Sequence, residues 1–125
     1  MEVSLTDREA EFMQILWRHG PSTVSEVRRL LGDKPAYTTV LTILRNLEAK
    51  AYVGHIEEGR AHRYKALVNS AAARTSALRA LVSKLFDGSA ELLLTHLVSD
   101  KRLSAAQLRR LRRMLDETPK GEGGS

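Results

Sequence analysis

Residues 35–65 read PAYTTVLTILRNLEAKAYVGHIEEGRAHRYK. In the first half Val40, Ile43, Leu44 and Leu47 recur at helical spacing, which predicts a helix opening at Pro35 with one apolar stripe. The opposite side carries Thr38, Thr42, Arg45 and Ala49, flanked by Thr39 and Asn46. A merely solvated face is rich in Lys and Glu. This one has short side chains around a single long cation, and suits close approach to another surface. A B-DNA major groove admits an α-helix, in which threonine meets phosphates or a thymine methyl, arginine a guanine edge and asparagine an adenine edge. In the second half, two β-capable runs, 52–56 and 61–67, flank Glu57-Glu58-Gly59-Arg60, which predicts a hairpin. Strand alternation puts Arg63 and Lys65 on one face and His62 and Tyr64 on the other. A hairpin packed on a reading helix is a wing; its tip cation Arg60 is placed for a phosphate or minor groove, and Arg63 and Lys65 for the DNA backbone.

Upstream, Thr6 and Glu9 form a capping box that opens a first helix, with Leu5 ahead of it. Ala10, Met13, Leu16 and Trp17 follow at helical spacing, and Trp17, the only tryptophan, is expected as a core anchor. Gly20-Pro21 stops that helix. Ser22-Thr23-Val24 reads as a short extended bridge into a second helix over 25–31, capped by Thr23 or Ser22, with Val27, Leu30 and Leu31 inward. Gly32-Asp33-Lys34-Pro35 turns into the third helix. The order helix, short strand, helix, turn, helix is that of a helix-turn-helix.

Downstream, a helix over 71–86 carries Leu78, Leu81, Val82, Leu85 and Phe86 and ends at Asp87-Gly88. Ser89 caps a short helix containing Leu92, Leu93, Leu94, Leu97 and Val98, and Ser104 with Gln107 caps a last one with Leu108, Leu111, Met114 and Leu115. These helices have too few neighbours to cover so many leucines. The simplest cover is a second copy of the chain, which also gives a DNA reader its second half-site. The expected class is therefore mainly α with a small β-hairpin wing: a winged helix-turn-helix domain over 1–69, a three-helix dimerisation domain over 70–118 and a disordered Gly-rich tail over 119–125. Leu78, Leu81, Leu85, Leu92, Leu93, Leu97, Leu108, Leu111 and Leu115 are the expected dimer contacts.

With 125 residues and 42% hydrophobic content, the chain suffices for one core and an appendage. The absence of cysteine excludes disulfides, thiolate zinc and cysteine nucleophiles. No run of about 18 apolar residues occurs, and the N-terminus lacks a basic region followed by an apolar one, so no membrane insertion and a cytoplasmic location are expected. Residues 1–27 carry −3, residues 28–65 carry +4 and the remainder +4, so the basic surplus starts with the helix-hairpin unit, as a polyanion partner requires. No nucleophile elbow, phosphate loop or metal-ligand spacing points to an enzyme, and no cofactor is expected. His19, His55, His62 and His96 are scattered; His55 and His62 across the hairpin, with Glu57, are the nearest approach to a zinc site, and ordinary strand residues are the preferred reading. Arg109, Arg110, Arg112 and Arg113 read first as a solvated face and second as a DNA contact.

Three segments together, the N-terminal Leu5-Thr6-Asp7-Arg8-Glu9-Ala10-Glu11, the helix segment Ala36-Tyr37-Thr38-Thr39-Val40-Leu41-Thr42-Ile43-Leu44 and the wing Glu58-Gly59-Arg60-Ala61-His62-Arg63-Tyr64, resemble the penicillinase repressor (BlaI/MecI) family of bacterial regulators. The likeness covers residues 4–117 and is most specific at Ala-Tyr-Thr-Thr-Val. It implies a winged-helix domain followed by a helical dimerisation domain, sitting as a homodimer on a palindromic operator and blocking genes of antibiotic resistance or related functions. In β-lactam-responsive members a membrane-bound sensor protease pathway leads to a cut in the dimerisation domain, which would fall here near Thr95-His96. The family's bond there is Asn-Phe, so this chain departs from it. It departs again at Ala51, where glycine is common and a helix end that is less sharp or differently hydrogen-bonded is expected, and at Asn46, where arginine is common. The copper-responsive branch needs a cysteine-rich motif and is excluded. Two other readings stay open on sequence: a ligand-sensing winged-helix regulator of another type, and a winged helix turned protein-interaction module, whose DNA binding would be weak and insensitive to salt.

Overall fold

The computed structural model describes residues 2–117, so the expected tail over 119–125 lies outside the described residues. The elements are α1 (Asp7–His19), β1 (Ser22–Thr23), α2 (Val24–Leu30), α3 (Tyr37–Ala49), β2 (Val53–Glu58), β3 (Ala61–Ala66), α4 (Ser70–Leu85), α5 (Ala90–Ser99) and α6 (Ala105–Glu117). The chain packs as two units, divided between Ala80 and Leu81. That division lies within α4, later than the expected boundary at 69/70. Ala73 is buried in the first unit's core, and the Val3 amide donates to the Ser76 hydroxyl at 3.1 Å, so the first turns of α4 belong to the N-terminal unit.

Helix starts follow local chemistry. Thr6 accepts from the Glu9 amide while Glu9 accepts from the Thr6 amide, and Thr23 and Glu26 repeat the arrangement at α2. Gly20, at φ 79°, ends α1 by donating to the Leu16 carbonyl. The extended bridge becomes β1, and its Thr23 pairs with Arg63, so the hairpin is part of a three-stranded antiparallel sheet in the order β1-β3-β2. Within the hairpin Val53 faces Ala66, His55 faces Tyr64 and Glu58 faces Ala61, leaving the two-residue turn Gly59-Arg60. Gly59 takes φ 64° there, which glycine adopts without a Cβ clash.

The first unit's core joins Phe12, Met13 and Leu16 of α1, Val24 and Val27 of α2, Val40, Leu44 and Leu47 of α3, and Tyr52, Val53 and Tyr64 from the wing side. Each fully buried aliphatic side chain contributes roughly 1.5–3 kcal/mol. Rotating α3 to bury its other face would exchange that gain for desolvation of Arg45 and Asn46. Trp17 is half-buried against this core and its indole donates to the Val68 carbonyl at 2.9 Å. Leu30 departs from expectation: it is 38% exposed, while Val27 is buried as expected and Val24, the first residue of the helix, is buried with it. A polar tie closes the core: Lys50, just past α3, donates to both Glu9 carboxylate oxygens at 2.9 and 2.8 Å.

In the second unit, Asp87 and Gly88 reverse the chain at φ 51° and 75°, and the Ser89 hydroxyl accepts from the Leu92 amide. Ser104 and Gln107 form the expected reciprocal cap of α6, at 2.8 and 3.1 Å. Phe86 meets His96 edge-on at 5.5 Å. Neither α5 nor α6 buries a single residue within one chain. No described helix is long and apolar enough to cross a membrane.

Candidate nucleic-acid interface

α3 is the helix on which the interface is built. Its inner row, Val40, Leu44 and Leu47, is fully buried, so the register of the outer row is set: Thr38, Thr39, Thr42, Arg45 and Asn46 are all exposed on one side. The helix starts two residues later than expected, at Tyr37, because Ala36, its N-cap, stays extended. Tyr37 is half exposed in the first turn, a neighbour of the threonines that the apolar periodicity did not single out. Burial raises the Tyr64 phenol above its ordinary pKa, the Glu48 carboxylate adds to this, and the positive charge of Arg45 pulls it part of the way back.

The C-terminal end of α3 corrects the expectation of a helix end that is less sharp or differently hydrogen-bonded. Ala51 adopts φ 65°, its amide donates to the Glu48 carbonyl at 2.9 Å, and the Tyr52 amide donates to the Leu47 carbonyl at 3.0 Å. This is the pair of bonds a glycine cap makes, here with an alanine held in the left-handed region. The chain therefore turns from α3 into β2 within residues 50–52. A ring stack locks the junction: His55 lies 4.4 Å from His62 and also against Tyr64, and its Nδ1 is 2.6 Å from a Glu48 carboxylate oxygen. Among the described residues no group of three or more His, Cys, Asp or Glu side chains is arranged to hold a metal ion.

The three wing cations part company. Arg60 sits exposed in the hairpin turn, with no ion pair among the described residues. Arg63 is committed within the chain: its guanidinium donates to Glu58 at 2.5 Å, to Glu26 at 3.0 Å and to the Pro21 carbonyl at 3.1 Å. Hydrogen bonding from Arg63 holds Glu58 below the usual carboxylate range, and Glu26 is lowered first by the Thr23 amide and then by Arg63. Arg63 thus neutralises two acids near the wing and ties β3 to α2. Lys65 is exposed and lines a surface recess with Leu16, Trp17 and Pro21 at the end of α1. The missed partner of Arg63 is Glu26, distant in sequence and invisible to any local pattern.

A second arginine also escaped the sequence reading. Arg28 of α2 donates to the Pro35 carbonyl at 2.7 Å and to the Asp33 carbonyl at 3.1 Å, and so spans the turn that leads into α3. The only signal for it in the sequence is indirect: α3 opens at an alanine with no side-chain cap.

Comparison with known proteins accords with this architecture. The sequence profile described as penicillinase repressor matches residues 5–117. The chain is 38% identical to the transcriptional regulator BlaI of Mycobacterium tuberculosis, with 95% of this chain and 88% of that protein aligned. It is 22% identical to the penicillinase repressor of Bacillus licheniformis, over 90% of each. Among solved structures it superposes on a mutant of MarR from E. coli with a TM-score of 0.52 and 17% identity, over 91% of this chain and 77% of that one. It superposes on MepR, a transcription regulator of the Staphylococcus aureus multidrug efflux pump MepA, with a TM-score of 0.51 and 19% identity over the same shares. At such identities these two structures speak for the fold alone. The profile and the mycobacterial relative settle the family: the chain belongs to the penicillinase repressors, winged-helix DNA-binding transcriptional regulators rather than enzymes.

Proposed function

We propose that the chain represses transcription as a homodimer on a palindromic operator in the cytoplasm, with Thr38, Thr39, Thr42, Arg45 and Asn46 in the major groove and Arg60 on the backbone or in the minor groove. The observation that carries this is the split of α3 into a fully buried row and a wholly exposed, hydroxyl-rich row. Asn46, exposed beside Arg45, meets a base edge where relatives with arginine meet a different base or a phosphate. Lys65 contributes long-range attraction. Arg63 acts by neutralising Glu26 and Glu58, which would otherwise repel phosphates.

Dimerisation is supported by the apolar surface of the second unit. Leu85 is 68% exposed and Leu115 72%, and Leu81, Leu92, Leu97 and Leu111 are also open to solvent in a single chain, while Leu93 and Leu108 are half-covered; Leu78, on the first unit's part of α4, is exposed as well. Exposed leucines in such number are covered in a stable protein. Relief of repression comes through loss of the dimer, by a cut at or near Thr95-His96 downstream of a membrane-bound sensor protease. Thr95 and His96 lie inside α5, which fully buries no residue within one chain, so local unwinding to the extended form a protease needs gives up little beyond the Phe86–His96 ring contact and the partial cover of Leu93.

The test is a salt-titrated shift assay on the inverted repeat preceding the gene. Arg45→Ala should relax specificity at one or two positions at about 1–3 kcal/mol, and Arg60→Ala should weaken binding to every sequence and lower the salt slope by about 0.9. If both variants bound like the parent, this docking would be wrong.

A further inference from the structure

We infer that Arg28, a residue that faces the turn and not the groove, is the positioning residue for the DNA-reading helix. The inference rests on α3 being that helix and adds what holds its first turn in place.

The turn between α2 and α3 is conformationally demanding. Gly32 and Asp33 are consecutive residues with positive φ, 84° and 59°, and a non-glycine residue in that region needs its surroundings to hold it there. The turn then delivers α3 without the usual fastening, since its N-cap is Ala36 and no side chain accepts from the first-turn amides. α1 and α2 both have full capping boxes, so α3, the helix that must be aimed best, has the weakest local start.

Arg28 supplies the hold from outside. Its backbone carbonyl accepts from the Asp33 amide at 3.0 Å. Its guanidinium donates through Nη2 to the Asp33 carbonyl and through Nε to the Pro35 carbonyl, and Nη1 lies 3.6 Å from the Asp33 carboxylate. One side chain thus grips the strained residue at both its backbone and its carboxylate, and the residue immediately before the N-cap. A planar guanidinium can make two such bonds in fixed directions at once; an ammonium presents one point charge on a flexible stem. The Pro35 carbonyl sits two residues before Tyr37 and three before Thr38, so a shift of the turn carries directly into the first reading residues.

The consequence is separable from direct phosphate contact. A residue that neutralises a phosphate contributes about 0.9 to the slope of log affinity against log salt, whereas a residue that aims a helix changes specific binding and leaves that slope alone. The experiment measures operator and random-duplex affinity of the full-length parent, Arg28→Lys and Arg28→Gln across a salt series. Parent binding to the operator, steep in salt, is required first; its absence would remove the groove reading itself. Given that, both variants should lose operator affinity by about tenfold or more, equivalent to roughly one mismatched base pair, with the parent's slope and with random-duplex binding within about threefold. Amide NMR shifts of Tyr37, Thr38 and Thr39 should move in both variants, while those of α1 stay put. Arg28→Lys binding the operator like the parent would overturn the inference, since charge alone would then suffice. A slope lower by about 0.9 in Arg28→Gln alone would also overturn it, in favour of a phosphate contact. Should Arg28→Gln fail to fold, Arg28→Lys decides; if neither folds, Arg28 is a stability residue and the inference falls.

Discussion

Replacing Ala51 with glycine should stabilise the protein, and the size of the gain follows from the backbone. Ala51 closes α3 at φ 65°, with the Tyr52 amide bonded back to Leu47. An L-residue in the left-handed region costs about 1–2 kcal/mol relative to glycine. Glycine's larger freedom in the unfolded chain returns about 0.4–1 kcal/mol of that, leaving a net stabilisation of about 0.5–1 kcal/mol. Ala51 is exposed, so removing its methyl forfeits almost no packing. For a unit of this size the expected rise in melting midpoint is roughly 2–8 °C. Trp17, the only tryptophan, reports the same unit, because its indole is bonded to the Val68 carbonyl. Urea and thermal melts followed by its fluorescence therefore read the effect directly. Ala51→Val should move the midpoint the other way, since a β-branched side chain tolerates positive φ worse. Operator affinity of the glycine variant should match the parent. A midpoint unchanged or lowered by glycine would mean that Ala51 is not held at positive φ, and the left-handed cap between α3 and the wing would have to be abandoned.

Glu9→Gln keeps a side chain able to complete the Thr6 cap but removes the charge that meets Lys50. Burial raises the Glu9 carboxyl, but Lys50 and the Thr6 amide more than offset this, so its folded pKa lies below the ordinary value. Stability from the charge is thus present above the unfolded carboxylate pKa and is lost as pH falls through the lower, folded one. The variant should be about 1 kcal/mol less stable at pH 7, with the gap closing in acid below about pH 4, measured by urea midpoints; a gap that widened in acid would reverse the assignment. Leu85→Glu and Leu115→Glu, at side chains open in the single chain, should yield folded monomers in analytical ultracentrifugation with reduced operator affinity. Two unchanged dimers would move the interface elsewhere. Arg63→Ala should weaken binding to operator and random duplex alike, by releasing Glu26 and Glu58, and adding Glu58→Gln should recover part of the loss; no recovery would make Arg63 a phosphate contact after all.

Much of this molecule is legible from residue spacing. The stripe Val40, Leu44, Leu47 and the exposed row opposite it follow from a 3.6-residue period, since burying one face of a helix fixes the direction of the other. The caps at Thr6, Thr23, Ser89 and Ser104 are equally local, each a contact across three residues. What escaped was long-range or conformational. Ala51 carries no sign in its own side chain that its backbone will turn left-handed; the need arises from docking β2 against α3. Leu30 has the same chemistry as Val27 but falls outside the core once α2 is placed.

Residue order alone dictates which face of α3 is dry, where helices begin, and that the leucines after residue 70 must be covered by something. Which cations remain free is a matter for the folded chain. Arg60 and Arg63 look alike in the wing, yet Arg63 meets Glu26 across 37 residues while Arg60 meets no ion-pair partner among the described residues. The same holds for Lys50 with Glu9 across 41 residues and for Arg28 with the Pro35 carbonyl. A period or a cap is a property of neighbours along the chain. A charge is neutralised or left available by whatever the fold brings beside it, which no local pattern encodes.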